Sequence, residues 1–354
     1  MNSSEILDLP RKSRNPFNMR QVASAAGVSI ATVSKLLNGK NDRIKVSEST
    51  RLQVLDVCKK MGYEPNIHAQ RMFSKRSMSL AVVFPPISEQ LSDDHNPDLT
   101  LAGIIQGTTA AATDLKYHVT LLPADKEFFE EKLYLKAYRN CSVDAFLIWG
   151  VRIQGDYLEE LSANKIPFMQ VQSKTFDSER NQYSFVVCDD ILGSRRMVEL
   201  LLQKGRKKIS YVRGFQSSSV GIDRWVGYSS VMREHGLFDQ KLVVDGNYTF
   251  KVGREAAESL LEVEPQLDAI CCANDLMALG VIDYLEMNGR CVPDDISVTG
   301  ADLRTCYGRP ILSSFGASVY DMGYLATQEL VKNVISGKIV QRIIAPEIRE
   351  GTTI

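Results

Sequence analysis

From residue 80 onward the chain repeats one pattern: a short apolar run, a longer stretch with helical spacing, then another apolar run. The apolar runs fall at 80–84, 118–122, 145–149, 168–171, 185–188, 208–212, 242–244, 269–273 and 297–300. Helical stretches such as 193–204, 255–262 and 275–287 lie between them. Parallel strands need a crossover connection of a dozen or more residues, and a helix supplies it. The alternation therefore predicts parallel sheets covered on both faces. About 270 residues is large for a single sheet of this kind, which predicts two lobes.

Residues 18–64 follow a different pattern. Asn18 can cap a short helix that runs through Ala25, and Gly27 allows the left-handed backbone of a tight turn. Ser29 can cap a second helix at 30–37, which Asn38-Gly39 ends before a polar loop at 40–46. Ser47 opens a third helix, in which Val54, Val57, Cys58 and Met61 recur at helical spacing, and Gly62 closes it. Val22, Val28, Val33 and Leu37 can form a small core, and Ala23 and Ala26 let the first two helices approach closely. Residues 1–17, with the basic run Arg11-Lys12-Ser13-Arg14, read as a disordered tail. Residues 65–77 read as a linker in which Pro65 starts a short helix at 66–73, and residues 78–354 as the two-lobed body.

Net charge is −1, but it is unevenly spread. Residues 1–76 hold 14 Lys and Arg against 6 Asp and Glu, a balance of +8, while the rest of the chain balances at −9. A basic head on an acidic body is the footprint of a nucleic-acid binder with a separate second domain. The seven cysteines include no C-x-x-C pair, and Cys271-Cys272 sit in an apolar run, as buried small hydrophobes would. Free thiols and a first segment unlike a secretory signal lead to the expectation of a cytoplasmic protein. No run is long and apolar enough for a membrane span. With four histidines, no metal-spaced cluster, no phosphate-binding glycine loop and no nucleophile elbow, nothing points to an enzyme, a metal or a cofactor.

The stretch Val22-Ala23-Ser24-Ala25-Ala26-Gly27-Val28-Ser29-Ile30-Ala31-Thr32-Val33-Ser34-Lys35-Leu36-Leu37-Asn38, followed by Tyr63-x-Pro65-Asn66-x-x-Ala69, resembles the lactose-repressor/galactose-repressor family of bacterial regulators. The resemblance implies an all-α helix-turn-helix head, whose second helix enters the major groove. It also implies that Ile30, Ala31 and Lys35 read base edges. Apolar Ile30 and Ala31 can meet thymine methyls, and Lys35 can donate to guanine. Ser29, Thr32, Ser34 and Asn38 are the expected backbone contacts. The linker is expected to fold into a hinge helix on DNA. There Ala69 and Met72 lie at the minor groove and Met72 acts as the apolar wedge.

The body resembles the periplasmic sugar-binding fold that this family uses as a sensor, with a ligand cleft at the carboxyl ends of its strands. Arg224 lies in Arg224-x-x-Gly227-Tyr228, and Asn274 in Ala273-Asn274-Asp275-Leu276-Met277-Ala278-Leu279-Gly280, both matching family signatures. With Asp302, Tyr248 and Trp149 they form the expected effector site. Leu303 stands where a second Asp is usual, and Ala317 replaces a common Gln. The implied protein is a homodimeric repressor of operator DNA, switched allosterically by a small molecule, a sugar or a related metabolite. The rival is a ligand-independent regulator with a vestigial cleft.

Overall fold

The computed structural model describes residues 17–38, 46–65, 76–86, 99–150, 157–175, 183–303 and 311–354. The chain divides into two compact units, Met1–Ser77 and Met78–Ile354.

In the first unit, α1 (Met19–Ala25), α2 (Ile30–Asn38) and α3 (Glu48–Met61) surround a core of Val22, Ala23, Ala26, Val33, Val54, Cys58 and Tyr63. Each start is built by side chains that satisfy the free N–H groups of a first turn. Asn18 and Gln21 form a reciprocal capping box on α1. Ser29 Oγ accepts the Thr32 N–H at 3.1 Å, and Ser47 Oγ accepts the Thr50 N–H at 3.1 Å. Gly62 ends α3 at φ +62°, a conformation that glycine adopts without steric cost.

The second unit holds two six-stranded sheets. The first lobe contains β1 (Ser79–Phe84), α4 (Leu99–Asp114), β2 (His118–Pro123), α5 (Lys126–Glu130), α6 (Leu133–Arg139), β3 (Ala145–Trp149), α7 (Tyr157–Ala163), β4 (Phe168–Val171) and β5 (Phe185–Cys188). The second lobe contains α8 (Asp190–Gln203), β6 (Ile209–Val212), α9 (Ser219–Glu234), β7 (Val243–Val244), α10 (Phe250–Val263), β8 (Ala269–Cys272), α11 (Asp275–Met287), β9 (Ser297–Ala301) and β10 (Ser313–Gly316). The chain then returns to the first lobe with α12 (Val319–Lys332) and β11 (Gln341–Ile344), and crosses back with β12 (Glu347–Arg349). The first sheet runs β11-β5-β4-β3-β1-β2, all parallel. The second runs β12-β10-β9-β8-β6-β7, parallel except where β12 meets β10.

The first sheet is covered on both faces, as expected of parallel sheets. Ile104, Met322, Ala326 and Leu330 pack on one side, and Phe128, Tyr134, Tyr157 and Leu161 on the other. Both family signatures owe their glycines to close helix contacts. A Cβ on Gly227 would meet the Ile191 carbonyl of α8 at 2.6 Å, and one on Gly280 would meet the Phe250 carbonyl of α10 at 2.1 Å.

Three expected strands lose an end residue, as Lys208 and Ala273 fall outside and Leu242 joins a 3-10 turn, and three gain one, Ser79, Pro123 and Ala301. Strands β10, β11 and β12 lie outside the apolar runs. Ser313 and Ser314 sit at zero exposure because their hydroxyls are used inside the protein, accepting the Gly351 N–H and donating to Asp275. Strand β11 is an edge strand with mostly exposed side chains. A polar core strand and a solvated edge strand both escape a hydrophobic pattern.

Candidate functional site

On the head, α2 sorts its residues by face. Val33 is fully buried, whereas Ile30 keeps 42% of its surface exposed. Ile30 is therefore not a core residue of this unit. Ala31 is exposed beside it, and Lys35 is half-buried further along the helix. Ser29 is exposed, and its hydroxyl also lies 2.8 Å from the Thr32 hydroxyl, so both form part of the helix cap. Ser34 is half-buried. Asn38 ends α2, but its side chain lies outside the described residues, as do Ala69, Met72, the 66–73 helix and the basic run of the tail.

In the body, Trp149, Arg224, Tyr248, Asn274 and Asp302 all lie at or just beyond carboxyl ends of parallel strands or on α9 beside them. The structure brings four of them together. Arg224 is 3% exposed and spends its guanidinium on the protein itself. Nε donates to Asp190 Oδ1 at 2.7 Å, Nη2 lies 3.0 Å from Asp302 Oδ1, and Nη1 donates to the Ala273 carbonyl at 2.6 Å. Burial pushes the Asp190 carboxyl upward, against the pull of Arg224, and the neighbouring carboxylates hold the guanidinium firmly charged. Arg224, expected in the effector site, is thus the buried centre of a triad. Asp302 is the more exposed carboxylate of the triad, its side chain 12% exposed against 2% for Asp190.

Asp302 and Leu303 have φ of +113° and +56°, in the left-handed region that side chains disfavour. Hydrogen bonds hold the strained turn. Asp302 N–H donates to the Phe315 carbonyl at 2.8 Å, and Leu303 N–H to Ser314 Oγ at 3.1 Å. Ser314 in turn donates to Asp275 at 2.6 Å. Arg349 Nη1 donates to the Leu303 carbonyl at 3.1 Å. Strain concentrated on a polar residue at strand ends is typical of functional sites.

Asn274 caps α11: its Oδ1 accepts the Met277 N–H at 3.0 Å and its Nδ2 donates to the Tyr248 carbonyl at 3.1 Å. Asp275, the first residue of α11, supports β10 through Ser314. Tyr248 has φ +70°, packs edge-on against Phe215, and burial pushes its phenol up to about 12. Trp149 belongs to the first lobe's core and donates its indole N–H to Gln172 Oε1 at 2.6 Å. Sequence reading missed Asp190, Gln172, Lys174 and Asp223. Their partners are 23 to 49 residues away in the chain, and no local spacing marks them.

The family model described as "Bacterial regulatory proteins, lacI family" matches residues 18–66. The model for "Periplasmic binding proteins and sugar binding domain of LacI family" matches residues 101–352. Catabolite control protein A of Priestia megaterium is 32% identical over 340 residues, 94% of this chain and 98% of that protein. The transcriptional regulator RegA of Clostridium saccharobutylicum is 31% identical over 320 residues, 89% of this chain and 92% of that one. A solved CelR–cellobiose complex superposes with TM-score 0.71 at 27% identity, covering 95% of this chain and 99% of that one. A lac repressor dimer bound to operator and the anti-inducer ONPF shares the fold, with TM-score 0.78 at 22% identity over 96% and 99% of the two chains. With its head and most of its body matched, the chain belongs to the LacI family and is a DNA-binding transcriptional regulator.

Proposed function

We propose that this regulator is a cytoplasmic homodimeric repressor, not an enzyme, and that a neutral, hydroxyl-rich small molecule of the sugar class switches its operator affinity. The observation that carries the ligand class is the triad. Among the described residues two carboxylates, Asp190 and Asp302, pair with Arg224, and its three guanidinium nitrogens are engaged. Among the described residues the cluster is acidic in balance, and Asp302 is its more exposed carboxylate. Such a carboxylate accepts hydrogen bonds from hydroxyls and repels phosphate. Tyr248 and Phe215 add flat apolar surface beside it. The CelR structure, a complex with cellobiose, supports the same class.

On the head, Ile30, Ala31 and Lys35 read bases, while Ser29, Thr32, Ser34 and Asn38 anchor the phosphates. Within residues 65–77, Ala69 and Met72 supply the minor-groove hinge. The head is residues 18–64, the tail 1–17, and the sensor and dimerisation body 78–354.

The test is thermal unfolding of the full chain against a panel of neutral mono- and disaccharides and their phosphate esters. A ligand that binds only the native state raises apparent stability. A rise with a neutral saccharide and none with its phosphate ester is expected; a rise with phosphate esters alone overturns the ligand class. The second reading, a regulator without an effector, draws on the same internally satisfied arginine. It predicts that no metabolite moves the transition.

A further inference from the structure

We propose that Lys174 is a clasp between the two lobes that holds the cleft closed before any effector arrives. This does not rest on the identity of the effector, because the clasp is made by the protein alone.

Lys174 lies three residues beyond β4, in the first lobe. It reaches α9 of the second lobe at two points. Its main-chain N–H donates to Ser219 Oγ at 3.0 Å. Its ammonium lies 2.7 Å from Asp223 Oδ2. Ser219 and Asp223 are four residues apart on the first turns of α9, so they share one face of that helix. The side chains of the ion pair are only 17% and 10% exposed, for Lys174 and Asp223 respectively. A pair so far out of water behaves unlike a surface pair. Breaking it leaves a charge in a site that solvent enters poorly. Parting the lobes separates the two charges, so the pair favours the arrangement in which the lobes touch.

The clasp is also anchored at each end. On the first-lobe side, Gln172 has φ +63° and accepts the Trp149 indole N–H, which fixes how the chain leaves β4 toward Lys174. On the second-lobe side, Asp223 precedes Arg224, whose guanidinium binds Asp190 and Asp302. The clasp therefore joins the polar cluster of one lobe to that of the other. Lys174 is a positioning residue: its described contacts, to Ser219 and Asp223, act on how the lobes meet.

The test is hydrogen exchange on the full-length protein without ligand, for Lys174→Gln, Asp223→Asn, the double variant and Lys174→Arg. Each single neutral variant should speed amide exchange by about ten-fold in both facing segments, residues 172–175 and 219–223, because local opening sets that rate. The inner strands β3 and β8 should keep their protection, the double variant should exchange no faster than either single one, and Lys174→Arg should retain most of the protection. A merely structural role within each lobe would give a different pattern. Each variant would then loosen only its own segment, the double variant would show both effects multiplied together, and either outcome, or unchanged exchange in all variants, overturns the clasp.

Discussion

Arg224 shows what a single residue can and cannot declare in a sequence. Its motif marked it as a cleft residue, and the glycine three positions on explained the helix packing around it. Its partners were illegible, since Asp190 is 34 residues away and meets Arg224 only through the fold. Removing the cation takes the ion-pair partner from buried Asp190, so Arg224→Ala should destabilise the protein by about 3–5 kcal/mol, the typical cost of breaking a buried pair from one side. Chemical denaturation of the variant measures this. A loss near zero would mean that water already reaches the triad. Asp302→Asn is the gentler probe of the effector site. It leaves the Arg224–Asp190 pair intact, so the fold should survive, while affinity for a stabilising saccharide should fall at least roughly ten-fold through loss of a charged acceptor. Unchanged affinity in a calorimetric titration would remove Asp302 from the site. Trp149 carried the opposite lesson: a tryptophan at a strand end suits a sugar face, but its ring is in the core and its N–H belongs to Gln172.

Among the elements, those whose apolar residues alternate with helical crossovers were readable from the chain, often to the residue, as at 145–149 and 275–287. The strands that escaped are β10, held by side-chain polar bonds, and β11 and β12, at sheet edges, and neither circumstance leaves a hydrophobic trace. Strand β11 gives a pH prediction. Arg342 on it makes two hydrogen bonds to Glu329 Oε1 of α12, at 3.0 and 2.7 Å. Burial opposes the charged form of Glu329, yet bonds from Arg342 and Asn333 hold the carboxyl below its ordinary 4.5. A depressed folded pKa stabilises above the unfolded value, and that stabilisation is lost as pH falls through the folded one. Glu329→Gln should therefore lower thermal stability at pH 7, and the gap from the parent should close as pH falls below about 4.5. A gap that stays constant with pH would deny the carboxylate this role. On α2, Ile30 and Ala31 are exposed beside half-buried Lys35, the face proposed to read bases. Lys35→Ala should cost about 1–3 kcal/mol and relax preference at one base pair. Ser29→Ala should weaken all sequences alike, and should also cost about 1 kcal/mol of head stability, because Ser29 caps the helix. Equal, sequence-blind losses in a binding-site selection with both variants would contradict base reading by Lys35.

The whole molecule couples a basic head to an acidic body, and the charge split alone was legible before any fold was known. A head of three short helices offers a small interface, so tight binding calls for two heads on a two-fold operator. Affinity should then fall steeply as salt rises, with counterion release from many phosphates. A shallow salt dependence, or a monomer binding a half-site at full affinity, would argue against this assembly. The lobes supply the switch only if the effector binds one arrangement of them better than the other, and that difference is the most it can transmit to the head. The most direct measurement is operator affinity of the full-length protein, on a duplex that the protein itself selects from a random pool. It is titrated with and without the saccharide that most raises the unfolding temperature. An effector-switched regulator should show a change of roughly 5–150-fold between the two titrations; equal affinities, with the saccharide demonstrably bound, would contradict a switch in the cleft.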